Sequence, residues 1–282
     1  MIEKIYIPTV NRVNNQITYN SLPEELKKRV VFVVQEWERP QYQYDCEYLI
    51  LPNTKERKTK YLAKTREFIY NSAGKIKYAM LDDDLVIARR NSKYFSAYQH
   101  TSNMEKSKRV LTHEDFFDMF SMFDKWLDDV SLCSCAMSNF PPGKRLYKES
   151  SAVSFGIFFI NGNDIYPFLN QMKLGETSVA EDVVFTLYVL GFGLKNRVTE
   201  EYVLDRNISV EKKISSFCWD DQSMQQSVED FKFIESLFPG VFKIRYNNDG
   251  TIVQGYRNSP NCKIDWKRAT GSKLSFANFG SL

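Results

Sequence analysis

The sequence predicts an α/β protein: a mostly parallel central sheet flanked by helices, with a helical and irregular C-terminal extension. Three observations carry this. Short β-branched and aromatic runs recur along the first two thirds of the chain, with helically spaced stretches between them. The runs are continuously apolar rather than alternating, as strands covered on both faces must be. After Asp205 the pattern weakens.

Taken in order, Ile5–Pro8 is a β-branched run stopped by proline, and Val30–Val34 and Tyr48–Leu51 are the second and third runs. Pro23–Lys28 and Glu56–Ala73 have helical spacing. In the latter, Tyr61, Leu62, Thr65, Phe68 and Ile69 form one apolar face. Tyr78–Leu81 is a fourth strand, ending abruptly at three acids. Thr112-His113-Glu114-Asp115 reads as a helix N-cap with acids in the first turn, and its helix runs to about Leu127. Leu132–Ala136 is a strand, Ser138–Gly143 is turn-rich, and Ala152–Ile160 is strongly strand-like. Asp182–Leu190 is helical and stops before Gly191 and Gly193. Lys195–Leu204 is the last strand. Beyond it, a helix near Val228–Leu237 ends at Pro239-Gly240 and an irregular tail follows.

The chain has 282 residues, 43% hydrophobic and 26% charged, enough for one sizeable core with an appendage. Its net charge of only +3 does not announce a nucleic-acid binder. The distribution says more. From Val241 onward, seven Lys and Arg face two acids, a surplus of five that leaves residues 1–240 at −2. Phe242, Tyr246, Tyr256 and Trp266 are interleaved with these cations, a combination that suits either a phosphate backbone or an ordinary solvated surface. Cys46, Cys133, Cys135, Cys218 and Cys262 form no Cys-x-x-Cys pair and have no His at zinc spacing, so reduced thiols are expected. The chain enters a strand from Met1-Ile2-Glu3-Lys4, and no apolar run approaches the roughly 20 residues of a membrane span. A cytoplasmic protein without a membrane anchor is expected.

Asp82, Asp83 and Asp84 follow the buried strand Tyr78–Leu81 directly. The C-terminal ends of parallel strands open on the crevice where α/β sheets bind ligands. Three carboxylates there repel one another unless a cation neutralises them, and a hard divalent ion, Mg or Mn, prefers such oxygen ligands. Strand alternation would send Asp82 and Asp84 to one side and Asp83 to the other. Asp84 is then the better metal ligand, with Asp82 nearer the ribose or sugar. An acid cluster alone would also suit a phosphatase or nuclease, and its plainest alternative is a solvated turn.

The neighbours discriminate. Ile5-Tyr6-Ile7-Pro8-Thr9-Val10-Asn11-Arg12 resembles the opening strand and turn of glycosyltransferases of the GT-A fold. The resemblance implies that Pro8, Thr9, Asn11 and Arg12 line the nucleotide. Leu62-Ala63-Lys64-Thr65-Arg66 lies where that family carries a basic residue beside the nucleotide, which points to Lys64 and Arg66. The triplet resembles the family's Asp-x-Asp motif, which implies that Asp82 and Asp83 touch the donor and that Asp84 and Asp82 hold the metal. Glu181-Asp182 before an apolar helix is similar to the element whose acid faces the acceptor. Asp182 is the implied general base, with Glu181 as its understudy. An acid at that place is stabilised by the helix N-terminus, although an acidic pair opening a helix is by itself an ordinary cap. Many members supply a late His to the metal. Here His100 and His113 come too early. Either Asp205 replaces it, or Asp84, diphosphate and water suffice.

The resemblance covers approximately residues 3–205 and implies a domain over 1–205, with 206–282 as a basic, aromatic extension on the acceptor side. The implied reaction transfers a sugar from a UDP-sugar by metal-assisted displacement with inversion, and retention is the alternative outcome. At a finer level the chain resembles phage glycosyltransferases, associated with base-oxidising enzymes, that modify hydroxymethylated pyrimidines in DNA. This implies 5-hydroxymethylcytosine as acceptor and a pentose such as arabinose, or glucose, as the sugar. Such a base must be reached in the groove or flipped. Lys144, Arg145, Arg257, Lys267 and Arg268 are the cations expected at DNA, and Phe140, Tyr147 or Trp219 the stacking rings. The alternatives are a cytoplasmic transferase for a saccharide or lipid-linked acceptor, and a nucleotide-sugar- or DNA-binding protein without turnover.

Overall fold

The computed structural model describes residues 1–52, 61–90, 108–138, 145–205, 221–255 and 259–271. Its centre is a 10-stranded mixed sheet. The apolar runs become β1 (Lys4–Pro8), β2 (Val30–Gln35), β3 (Glu47–Leu51) and β4 (Lys77–Leu81). These four pair in parallel in the order β3-β2-β1-β4. Connections leave β1 toward β2 and β3, while β4 returns on the other side of β1. The strand order therefore reverses between the C-terminal ends of β1 and β4, the place where open α/β sheets bind ligands. Pro8–Arg12 and Asp82–Asp84 both follow those ends.

The sheet continues beyond β4 with β9 (Ile157–Asn161), β7 (Leu132–Met137), β10 (Asn196–Leu204), β5 (Ile87–Arg90) and β6 (Lys108–Val110), and β8 (Tyr147–Glu149) pairs with β10. β9 is antiparallel to both β4 and β7, whereas β7 and β10 are parallel. The strand expected over Ala152–Ile160 is thus shorter. Gly156 has a left-handed backbone, φ 58°, and the regular strand begins only after it.

Two helical layers cover the sheet. Ile5, Ile7, Phe32, Val34, Ala79 and Leu81 face one core, shared with α4 (His113–Trp126) and the short α1 (Ile17–Ser21) and α2 (Glu24–Lys27). Tyr6, Val31, Val33, Tyr78 and Met80 face the other, shared with α3 (Tyr61–Ala73), α5 (Gly162–Ile165), α6 (Glu181–Gly191) and α7 (Asp221–Leu237). Alternate residues of each strand thus feed opposite cores, and this explains the continuously apolar runs. α4 starts at a capping box in which Thr112 and Asp115 bond each other's backbone N–H groups, as its sequence predicts.

The C-terminal tail is more regular than expected. α7 is longer than the stretch near Val228–Leu237, and beyond it β11 (Phe242–Ile244) pairs with β12 (Cys262–Ile264) before α8 (Trp266–Gly271). Phe231, Ile234, Leu237, Phe238, Val241 and Phe242 join the second core directly. Among the described residues, Cys46, Cys133, Cys135 and Cys262 carry free thiols, while Cys218 lies outside them. No described helix is long and apolar enough to cross a membrane.

Candidate active site

Residues after β1 and β4 lock into one polar network. The Thr9 hydroxyl donates to Asp83 Oδ2 at 2.7 Å and accepts from Gln16 Nε2 at 2.8 Å. The Tyr42 hydroxyl lies 3.3 Å away. Arg12, 4% exposed, approaches Asp83 Oδ1 through Nε and Asp84 Oδ2 through Nη2, each at 3.4 Å. Asn11 has a left-handed backbone, φ 57°, and its N–H donates to Glu38 Oε1 at 2.6 Å. Asn is one of the few non-glycine residues that takes up this region as a single residue, and the bond to Glu38 holds the turn there.

The alternation expected of the triplet does not occur. β4 ends at Leu81, so Asp83 and Asp84 sit in a turn and share Arg12, while Asp82 faces Arg66. Burial raises Asp83, with Asp84 and Asp82 adding to the effect, to about 7 despite Arg12 and the Thr9 hydrogen bond. Asp84 is the more open of the pair, its side chain 29% exposed against 12% for Asp83.

Arg66 joins the two acidic elements. It lies on the core-facing stripe of α3 with Ile69, Tyr70 and Ala73, at helical spacings of three and four. Its Nη2 meets Asp82 Oδ1 at 2.6 Å and its Nη1 meets Glu181 Oε1 at 2.8 Å. Its guanidinium also lies over the Phe158 ring, 4.8 Å from the centroid. Burial alone would lower its pKa, but Asp82 and Glu181 hold it above its ordinary value. A buried cation in an otherwise apolar stripe requires such partners. Gly156 completes the fit: a Cβ there would lie 3.1 Å from Asp82 Oδ2.

Glu181 and Asp182 occupy the first turn of α6, a helix buried from Val183 to Gly191. The residue before the helix, Ala180, is like Asn11 a non-glycine residue with a left-handed backbone, φ 56°. Asp182 Oδ1 accepts from the Val183 N–H at 2.8 Å. Burial, then the neighbouring Glu181, raises Asp182 to about 7, with Arg66 opposing. Burial raises Glu181 as well, against the pull of Arg66. The C-terminal segment packs nearby, with α8 against α6. Burial raises the Cys262 thiol most, with Arg245 lowering it and Asp182 raising it.

The remaining candidates fall elsewhere. Lys64 is exposed on α3, beside Gly175 and Glu67 rather than on the buried stripe. The Asp205 N–H donates to the Val86 carbonyl, but its carboxylate meets Lys108 at 2.7 Å and Ser138 at 3.3 Å. Arg145 is exposed, as are Lys267 and Arg268 on α8, which packs on α6. Tyr147 stands beside Trp126 and Arg197 on the sheet surface. Phe140, Lys144, Trp219 and Arg257 lie outside the described residues. Sequence reasoning missed Gln16, Glu38, Tyr42 and Gly156. Only Gly156 left a signal, as a lone glycine inside a strand-like run, which often marks close backbone approach.

Among the described residues no three of His, Cys, Asp and Glu gather into a metal-holding group. Asp84 nonetheless offers an accessible carboxylate of the right chemistry, and Arg12 Nη1 and Arg66 Nε are buried donors without hydrogen-bond partners among the described residues. One carboxylate with phosphate oxygens and water is an ordinary Mg or Mn ligand set. The comparison with curated proteins gives no match. A family model described as TET-Associated Glycosyltransferase matches residues 3–212.

Proposed function

The chain belongs to the TET-associated glycosyltransferases, and on that premise we propose how it moves a sugar from a nucleotide-sugar donor to a hydroxyl on a modified base in DNA. The donor is a UDP-sugar carrying a pentose such as arabinose, or glucose, and the acceptor is 5-hydroxymethylcytosine of phage DNA. The observation that carries the proposal is Arg66, one buried cation joining Asp82 after β4 to Glu181 at the start of α6.

Pro8, Thr9, Asn11 and Arg12 line the nucleotide at the strand-order reversal, with Asp82 and Asp83 on the ribose and sugar side. Arg12 and Arg66 face the diphosphate, where negative charge grows as the bond to the anomeric carbon breaks. Asp84 would hold a Mg or Mn ion with diphosphate oxygens and water. Asp205 is not used, because Lys108 already holds its carboxylate. The ion, when bound, supplies further charge neutralisation to the leaving diphosphate. Glu181 is tied to Arg66, which leaves Asp182 as the base. Its raised pKa suits a group that takes protons near neutrality. Asp182 removes the acceptor hydroxyl proton while that oxygen forms the new bond to the anomeric carbon. The electron pair of the old bond departs with the nucleoside diphosphate, and the sugar inverts. The 206–282 segment forms the acceptor side, with Lys267 and Arg268 on α8 and Arg145 just before β8, and Lys144, Trp219 and Arg257 are the further residues expected to bind DNA. The packing of α8 against α6, the helix that opens with Asp182, supports this placement.

The test incubates the chain with labelled UDP-sugars and Mn, with hydroxymethylcytosine DNA or unmodified DNA. Transfer to the modified DNA alone, lost on adding a chelator or in Asp84→Asn, is the expected result. Transfer to a free or lipid-linked saccharide instead would replace the acceptor. DNA binding without transfer from any donor would replace the enzyme by a binding protein.

A further inference from the structure

The chain beyond residue 212 lies outside the matched family segment, yet it grips the loop that delivers the acidic pair. Asp230 of α7 is buried, 3% exposed. Its Oδ2 accepts from the Ser178 N–H at 2.6 Å, the Val179 N–H at 3.0 Å and the Ser178 hydroxyl. Its Oδ1 accepts from Gln226 Nε2 at 3.0 Å. Three of these four donors belong to two consecutive residues, and the next residue is the left-handed Ala180. Glu181 and Asp182 follow at once. Among the described residues no Lys or Arg pairs with Asp230, so loop N–H and O–H groups take the place of its water. A carboxylate solvated by one loop conformation penalises every other conformation of that loop.

We infer that Asp230 is a positioning residue for the transfer: it fixes residues 178–180, holds Ala180 in its strained turn, and so aims the Asp182 carboxylate at the acceptor hydroxyl. The inference rests on Asp182 being the base. It also gives the C-terminal segment a part in the chemistry, in addition to a part in the core.

The experiment compares the full-length wild type, Asp230→Asn, Asp182→Asn and the double variant on a nucleotide-sugar and hydroxymethylated DNA. Nucleoside diphosphate binding stoichiometry at the assay temperature confirms the folded fraction of each. Asp230→Asn is expected to lower kcat by roughly tenfold to a hundredfold, with the donor KM within about twofold of wild type, since the Pro8–Arg12 turn and the triplet are untouched. In the Asp182→Asn background the same substitution should change the residual rate by less than about twofold, because the group it positions is gone. Ser178→Ala, which deletes one donor, should lower kcat in the same direction by a smaller factor, and it serves if Asp230→Asn does not fold. Equal proportional losses in both backgrounds, or a wild-type kcat in Asp230→Asn, overturn the inference while leaving Asp182 as base. A fully active Asp182→Asn overturns both.

Discussion

Asp182 shows how one side chain can be costly to the fold and useful to the reaction. It is a carboxyl moved from water into a recess beside a second carboxyl, and burial and Glu181 lift it to about 7, far above the roughly 3.9 of an unfolded Asp. A folded pKa above the unfolded one means the native chain holds the proton more tightly. The associated stability is therefore full below about pH 4 and drains away as pH rises through about 7. Asp182→Asn should consequently melt at a higher temperature than wild type at pH 8, with the gap closing toward pH 4. The same substitution should lower kcat by about 10²–10⁴-fold. In the wild type, kcat should climb with pH through an apparent pKa near 7 that belongs to the Glu181–Asp182 pair. A flat profile across that range would remove Asp182 as the base.

At the scale of elements, α3 acts as a rivet between β4 and α6. Its Ile69, Tyr70 and Ala73 would anchor any amphipathic helix, and Arg66 adds a charged link to both acidic segments. The helical spacing of residues 56–73 was legible in the sequence, and Thr65 and Ile69 of its expected apolar face are buried, but the place of Arg66 was not legible. The apolar set Tyr61, Leu62, Thr65, Phe68 and Ile69 suggested a stripe that excluded Arg66, whereas Arg66 sits on the buried side. Cutting one partner from a buried pair leaves an uncompensated charge and costs about 3–5 kcal/mol. Arg66→Met should therefore lower the unfolding free energy by that order at pH 8, read as a lower denaturation midpoint at unchanged slope. The loss should shrink as pH falls, because burial already raises Glu181 and without Arg66 it takes up its proton more readily. An unchanged midpoint at pH 8 would mean that solvent already compensates the two acids.

At the scale of the whole molecule, the C-terminal segment packs into the core built by the sheet. Phe238 is fully buried and lies edge-on to Tyr188 of α6, 5.0 Å between centroids, and its neighbours Ile234, Leu237 and Phe242 share the core of Tyr6 and Met80. A segment so placed should unfold with the rest. Calorimetry should show one cooperative transition, and Phe238→Ala should destabilise that transition by about 3–5 kcal/mol. Two separable transitions, with only the lower one moved by Phe238→Ala, would make the C-terminal segment an independent unit.

Local pattern determined a good deal by itself. Continuous apolar runs marked the strands β1–β4, because in β1, β2 and β4 burial on both faces leaves little room for polar residues, and the abrupt stops at Pro8 and Asp82 marked where the strands hand over to polar loops. Order along the chain placed the turn, the triplet and the acidic pair as candidate site elements. What no local pattern could decide was who meets whom. Asp83 and Asp84 share Arg12 because the strand ends before them. Asp82 meets Glu181 through Arg66, and Asp230 holds a loop some fifty residues earlier in the chain. Hydrophobic periodicity is set by each residue's own contact with water or core, and so it is written locally. The pairing of buried charges is set by which surfaces the packed layers bring into contact, and only the folded chain contains that information.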